Sequence, residues 1–188
     1  AEFIAKVFET MNNTTHNYQV LTKRSERLKE LAPRLNWTPN IWAGVTVENN
    51  KTIGRIDDLR EVPAKIKYIS FEPLIGSVKD ADLAGIQWVI VGGESGNSLS
   101  KLRPIKKLWI DEIISNANDV DAKIFFKQWG RKEFNPDLND PTILDKNSKG
   151  GYLVNGAKYR EFPSYKPYYP YIILKHKEKI IEIHKSVK

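Results

Sequence analysis

Short apolar runs recur along the first 130 residues, and each one ends at a charged side chain. They are built from β-branched and aromatic residues and occupy positions 17–22, 41–47, 66–71, 88–93 and 122–126. The residues that close them are Lys23, Glu48, Glu72, Glu94 and Lys127. Runs of this length without polar alternation are typical of strands that are covered on both faces of a parallel sheet.

Helix-length segments with apolar residues every three to four positions lie between most of these runs. They cover about 25–31, 53–62 and 105–114, with Ser25 as the expected cap of the first. Residues 73–87 are too short and glycine-interrupted for a long helix, although 80–84 can form one turn. Strands that alternate with helices predict parallel βα units, in either an open sheet or part of a barrel.

The favoured fold class is α/β, namely a partial (β/α) TIM-like barrel with a small basic C-terminal extension. We expect five βα units in residues 1–130, a loop and a small hairpin around Asn155-Gly156 in 131–163, and a basic tail in 164–188. A complete eight-stranded barrel takes about 250 residues. Completing it would therefore require strands from an upstream portion or from a partner chain.

Composition narrows the possible chemistry of the 188 residues. The formal net charge is +7, and there is no cysteine, which excludes disulfides and cysteine-ligated zinc or iron–sulfur centres in this chain alone. Residues 131–188 hold 12 Lys/Arg against 7 Asp/Glu. This basic end can contact nucleic acid through phosphates, or it can serve as a solvated surface. No apolar run reaches the length of a membrane span and no signal peptide opens the chain, so we expect a cytoplasmic protein without membrane contact.

The carboxyl ends of parallel strands form the usual ligand-binding edge of such folds. Glu48, Glu72 and Glu94 end three successive strands and are expected to converge there. Three carboxylates can hold a divalent metal, act as acid and base, bind a cationic group, or form a salt-bridge network with neighbouring Lys23 and Lys127. No histidine or acidic spacing stands out as a metal site.

Gly92-Gly93-Glu94-Ser95 is the sharpest single motif. Two glycines after a buried strand permit close backbone approach to a ligand, and the amides of the turn can cradle an anion. A tight strand-exit turn explains the same residues. Gln128 offers a donor, and Trp129 offers either a stacking face or a plug at the edge of the core.

Five ordered segments together resemble a known family. They are Leu21-Thr22-Lys23-Arg24, Ile41 to Glu48, Ser70 to Gly76, Trp88 to Gly96 and Phe125 to Gly130. The chain resembles the phage-associated, radical-SAM-like family labelled domain of unknown function 5131, over about residues 1–163. The longer link 97–102 and residues 164–188 depart from the family pattern.

The resemblance implies a partial barrel related to radical S-adenosylmethionine enzymes, in which an upstream cysteine segment would hold a [4Fe–4S] cluster. Gly92, Gly93, Glu94 and Ser95 would then hold S-adenosylmethionine. The expected catalytic residues are Glu48, Glu72, Lys23 and Lys127. The expected substrate-binding residues are Arg24, Asn49, Gln128 and Trp129. Without cysteine, this chain alone cannot carry out radical chemistry.

Two further readings remain open. A degenerate barrel without enzymatic activity can bind nucleic acid, or a phage or host protein. A poorly folding remnant of a larger barrel is the third possibility.

Overall fold

The computed structural model describes residues 2–168 and 170, in which strands and helices alternate. The helices are α1 (Glu2–Asn12), α2 (Ser25–Leu31), α3 (Arg55–Arg60) and α4 (Lys107–Asp119). The main strands are β1 (Tyr18–Thr22), β2 (Ile41–Thr46), β3 (Lys67–Phe71), β4 (Trp88–Gly92) and β5 (Lys123–Gln128), and a small hairpin follows as β6 (Leu153–Val154) and β7 (Ala157–Lys158). Short 3₁₀ helices occupy Ala32–Arg34, Asn50–Thr52, Leu99–Lys101, Lys132–Phe134 and Pro141–Leu144.

All five main strands form one parallel sheet in the order β1-β2-β3-β4-β5. The predicted parallel α/β architecture is therefore confirmed. Within the described residues, β1 and β5 do not pair with each other, so the sheet does not close into a barrel. None of the helices in this part of the chain has the length and apolar character that crossing a bilayer needs.

The helices pack on one face of the sheet, which holds the main core. Alternate residues of β2 to β5 meet apolar side chains of α2, α3 and α4 there, and Phe8 and Met11 of α1 pack near Ile41. The strand side chains on this face are Ala43, Val45, Ile69, Phe71, Val89, Val91, Ile124 and Phe126, all at most 2% exposed. Burying each large apolar side chain contributes about 1.5–3 kcal/mol, so this face supplies most of the stability.

The opposite face of the sheet carries aromatic side chains. We call it the aromatic face; it is formed by Trp42, Tyr68, Trp88, Ile90 and Phe125. The chain returns across it after β7, where Phe162 packs on Trp88 and Phe125, and Tyr165 packs on Trp42. This segment covers one part of the face and leaves the part nearer the carboxyl edge open.

Two local expectations differ from the structure. Ser25 does not cap α2: Arg24 takes the cap position, and the Ser25 hydroxyl donates instead to Asp58 Oδ2 at 2.7 Å. No long helix forms between β3 and β4, as expected, but the single helical turn expected at 80–84 is also missing, and residues 72–87 run as turns and extended backbone.

The expected hairpin is present, with Asn155 and Gly156 both at positive φ, as a type I′ turn requires. Beyond it, the chain pairs with the outer edge of β5. Phe126 N–H donates to Tyr159 O at 3.0 Å, and Glu161 N–H donates to Ile124 O at 2.9 Å. The basic tail predicted for 164–188 lies largely outside the described residues.

Asp140 organises the loop 131–151 from a buried position. It accepts hydrogen bonds from Thr142 N–H (2.8 Å) and hydroxyl (2.6 Å), Asn135 Nδ2 (3.0 Å) and Leu153 N–H (3.3 Å). Burial by itself opposes the charge, but these hydrogen bonds outweigh it and hold the pKa of Asp140 below its usual range. The loop therefore depends on an ionised carboxylate.

Replacing Gly44 by alanine is expected to destabilise the protein by about 1–3 kcal/mol. A Cβ at Gly44 would lie 2.3–2.5 Å from the ring of Tyr68, which is buried and packs against Trp88, so the ring or the strand must shift. Gly54→Ala is the matched control, because a Cβ there meets nothing within 4 Å. Urea unfolding followed by circular dichroism measures both, and equal midpoints for the two variants would contradict this packing.

Asp140→Ala is expected to cost about 1–3 kcal/mol at neutral pH, because four donors lose their acceptor. The folded-state pKa is depressed, so the contribution is present above the ordinary value near 3.8 and is lost as pH falls through the lower folded pKa. The gap in urea midpoint between wild type and variant should therefore shrink towards acidic pH. Exposed Asp119→Ala serves as the control, and a gap that does not change with pH would contradict the ionised role.

Candidate functional site at the carboxyl edge of the sheet

The parallel register brings the predicted strand-end residues to one edge of the sheet. Each of the three glutamates is found in an ion pair there: Glu48 with Lys23 and Arg55, Glu72 with Lys127, and Glu94 with Arg103. The three pairs differ in how fully the carboxylate is engaged by neighbouring cations.

Glu48 is neutralised by two cations. Lys23 donates to Oε1, and Arg55 Nη1 lies 2.9 Å from Oε2 while it also donates to Thr46 O at 2.7 Å. Partial burial raises the pKa of Glu48, but the hydrogen bond from Lys23 and the two positive charges outweigh it and lower the pKa below its usual range. Glu48 is therefore an ionised carboxylate that is paired with two cations.

Asn49, predicted to contact substrate, starts the 3₁₀ helix that follows β2. Its side-chain oxygen accepts from Lys51 N–H at 2.9 Å, and the Thr52 hydroxyl completes a capping box. With Glu48 it borders a shallow cavity of about 270 Å³, whose other lining residues are Lys23, Thr52, Arg55, Pro73, Ile75 and Arg103. The side-chain oxygen of Asn49 is thus already used by the backbone.

Glu72 and Lys127 form a simpler pair. Lys127 Nζ lies 3.1 Å from Glu72 Oε1, and the Ser70 hydroxyl donates to Oε2 at 3.2 Å. Gly92 makes room for this carboxylate, since a Cβ there would lie 2.9 Å from Oε1. The Glu72–Pro73 peptide bond is cis. The side chain of Lys127 is 57% exposed, so the pair borders solvent.

The Glu72–Lys127 pair stands at one end of a cleft on the aromatic face. The cleft has a volume of about 280 Å³ and is lined by Gln19, Leu21, Tyr68, Ser70, Glu72, Trp88, Ile90, Phe125, Lys127 and Phe162. Its floor is apolar, and burial raises the pKa of the Tyr68 phenol, which therefore stays neutral. An apolar cleft with a few convergent polar groups is the usual form of a small-molecule site.

Other residues of the chain make the close contacts that the Gly92-Gly93-Glu94-Ser95 segment was expected to offer a ligand. A Cβ at Gly93 would lie 2.2 Å from the carbonyl oxygen of Trp129, so the close approach that this glycine allows is to the chain after β5. Both oxygens of Glu94 accept from the guanidinium of Arg103, and Arg103 N–H also donates to Oε2 at 2.8 Å. These hydrogen bonds lower the pKa of Glu94 to about 2. Ser95 is exposed beyond the turn.

The remaining predicted residues separate from the cleft. Trp129 is 1% exposed, its ring packs on Phe126 and its Nε1 donates to Leu153 O at 2.9 Å, so no ring face is left for a ligand. Gln128 is buried, and its Nε2 donates to Gly93 O at 2.9 Å. Arg24 lies on a surface between α2 and α3.

Sequence reasoning did not find Tyr68, Ser70, Arg55 and Arg103. The position of Ser70 beside Glu72 could have been predicted, because side chains at 68, 70 and 72 point to the same face of β3. Arg55 and Arg103 follow their strands by several residues, and no periodicity places their guanidinium groups at the edge.

The residues present do not fit the iron–sulfur cluster that the family resemblance implies, nor the S-adenosylmethionine contact expected at Glu94. A [4Fe–4S] cluster needs thiolate ligands, and the sequence contains no cysteine. Residues 2–168 also contain no group of three or more His, Asp or Glu side chains placed to hold a metal ion. The proposed S-adenosylmethionine contact at Glu94 is already taken by Arg103. No step of radical chemistry is therefore assigned to this chain.

The fold and the edge define a parallel α/β protein with a polar, charge-paired strand-end site. The chain belongs to a family described as "Protein of unknown function (DUF5131)", whose model matches residues 1–163. No curated protein and no solved structure matches the chain.

The carboxyl of Glu94 is expected to titrate near pH 2 in the wild type and to move towards its ordinary value of 4.5 in Arg103→Met. The physical reason is the loss of the guanidinium that donates to both oxygens. Carbon-detected NMR of the glutamate carboxyl signals measures the change. Lys101→Met removes a nearby exposed cation and should leave the pKa of Glu94 unchanged; an equal rise in both variants would contradict the specific pairing.

Proposed function

We propose that this chain is the C-terminal part of a β/α-barrel protein related to radical S-adenosylmethionine enzymes. In this proposal, the cleft on its aromatic face binds a small molecule. Glu72 and Lys127 supply the polar contacts, and the apolar floor receives the body of the ligand. The observation that carries the proposal is the exposed Glu72–Lys127 pair at the end of an apolar cleft at the carboxyl edge.

The strand order supports the barrel part of the proposal. Consecutive neighbours in a parallel sheet, with all helices on one face, are the arrangement of β/α barrels. Doubly wound sheets instead reverse strand order and carry helices on both faces. The aromatic face would then be the side turned to the barrel interior, and further strands would come from an upstream portion or from a partner chain.

The chemistry of the pair supports a ligand that carries both charges. A carboxylate and an ammonium 3.1 Å apart match the amino and carboxylate groups of an amino-acid moiety. Tyr68, Ile90 and Phe125 present a flat apolar floor beside them. S-adenosylmethionine, which the resemblance implies, has such an amino-acid end and a flat base.

Phage association and a location in the host cytoplasm belong to the same proposal. They rest on the family resemblance. The alternative of a non-enzymatic protein that binds nucleic acid through residues 164–188 stays a prediction, because most of that segment lies outside the described residues.

NMR titration with S-adenosylmethionine and, separately, with tryptophan as a flat zwitterion tests the cleft. We expect shifts to concentrate at Ser70, Ile90 and Lys127, and Glu72→Gln or Lys127→Met to weaken binding roughly tenfold through loss of a charged contact. Lys65→Met is the control, because Lys65 is exposed before β3, at the opposite edge. Shifts confined to residues outside the cleft, or no shifts with either compound at millimolar concentration, would reject the proposed site.

A further inference from the structure

A second cavity lies at the same edge of the sheet, beyond β4 and β5. It has a volume of about 440 Å³, within the range of small-molecule sites. Its walls come from the turn after β4, the turn after β5 and the loop 143–150. The polar lining residues include Ser95, Lys132, Glu133, Asp145, Lys146 and Lys149. None of them lines the cleft that carries the proposed function.

The charge of this cavity is unbalanced. Glu133 Oε2 lies 3.5 Å from Arg131 Nε, whereas Asp145 Oδ1 accepts a neutral hydrogen bond from Asn147 N–H at 2.8 Å and keeps its negative charge. Arg131 and three lysines thus stand against two acids in the lining. In the part of the chain that the structure describes, none of the three lysines is ion-paired with a carboxylate; they are Lys132, Lys146 and Lys149. Three ammonium groups around one concave space favour an anion with more than one negative charge.

The backbone that carries Lys149 is held in an unfavourable conformation. Lys149, Gly150 and Gly151 all have positive φ, at 43°, 102° and 92°. Glycine adopts such values freely, but lysine does so at a cost. The backbone of Gly150 also packs closely against the backbone of Arg131, since a Cβ at Gly150 would lie 2.3 Å from the carbonyl carbon of Arg131. Strain of this kind persists where the surrounding structure enforces it, and it occurs often at ligand sites.

The strained turn brings the Lys149 ammonium to the turn after β4. Lys149 Nζ lies 3.4 Å from the Ser95 hydroxyl oxygen, and Arg131 Nη1 donates to Gly96 O at 3.1 Å. A hydroxyl and ammonium groups on one wall are the donors that a phosphoryl oxygen accepts. Ser95 thereby gains a ligand role that does not depend on Glu94.

We propose that this cavity binds the phosphate group of a small molecule. Lys149 and Ser95 contact the phosphoryl oxygens, and Lys132 and Lys146 add positive charge around them. The volume of about 440 Å³ suits a compact phosphate or a mononucleotide. The proposal is independent of the cleft at Glu72 and Lys127, because the two sites share no residue.

Isothermal titration of the full chain with inorganic pyrophosphate at low ionic strength tests it. We expect a dissociation constant below about 1 mM, a marked weakening with added salt, and roughly tenfold weaker binding in Lys149→Gly. Glycine suits the backbone at φ 43°, so this variant removes the ammonium without straining the fold. Lys65→Gly removes an exposed charge at the opposite edge and should bind as the wild type does.

The three compounds distinguish a site for a small phosphate compound from a surface for a polynucleotide. Binding of pyrophosphate or adenosine monophosphate that Lys149→Gly weakens supports the small-molecule site. Binding of a single-stranded oligonucleotide alone, with neither small compound bound at millimolar concentration, would overturn it in favour of a polynucleotide surface. Equal affinity in Lys149→Gly and wild type, an equal loss in Lys65→Gly, or no binding of any of the three compounds would overturn it outright.

Discussion

Parallel pairing of five consecutive strands in chain order is the constraint on which the rest of this protein depends. Because each strand lies beside the next one in sequence, every crossover returns over the same face, and the helices collect there. The same pairing brings all five carboxyl ends to one edge. The apolar core and the polar edge are therefore two consequences of one topology.

That edge concentrates charge, and the protein compensates each carboxylate in a different way. Glu48 is held between Lys23 and Arg55, and Glu94 is held by the fork of Arg103. An uncompensated carboxylate at a partly buried edge would be costly, since desolvation disfavours the charged form. The charged residues Glu48 and Glu94 at the strand ends thus stabilise the segments that follow the strands.

The apolar runs, with helix-length segments between most of them, were sufficient to predict the five strands and their parallel arrangement, and the Asn155-Gly156 pair predicted the hairpin. They could not predict which strand-end groups would be occupied by other side chains. The Gly92-Gly93 pair has the composition of a ligand cradle, yet the backbone near Gly93 is the carbonyl of Trp129, a contact between residues far apart in sequence. Arg103 reaches Glu94 for the same reason, through a loop whose path no local pattern encodes.

The geometry of the three glutamates is the reason why we propose Glu72, and not Glu48 or Glu94, as the ligand contact. A ligand that binds Glu48 must displace or share two cations, and one that binds Glu94 must compete with a bidentate guanidinium, the stronger form of carboxylate pairing. Glu72 has a single ammonium partner and a serine hydroxyl, and Lys127 is largely exposed. Exposed ion pairs of this kind contribute about 0–1 kcal/mol to stability. Replacing the Glu72–Lys127 contact by contacts to a ligand would therefore destabilise the protein less than the same exchange at Glu48 or Glu94.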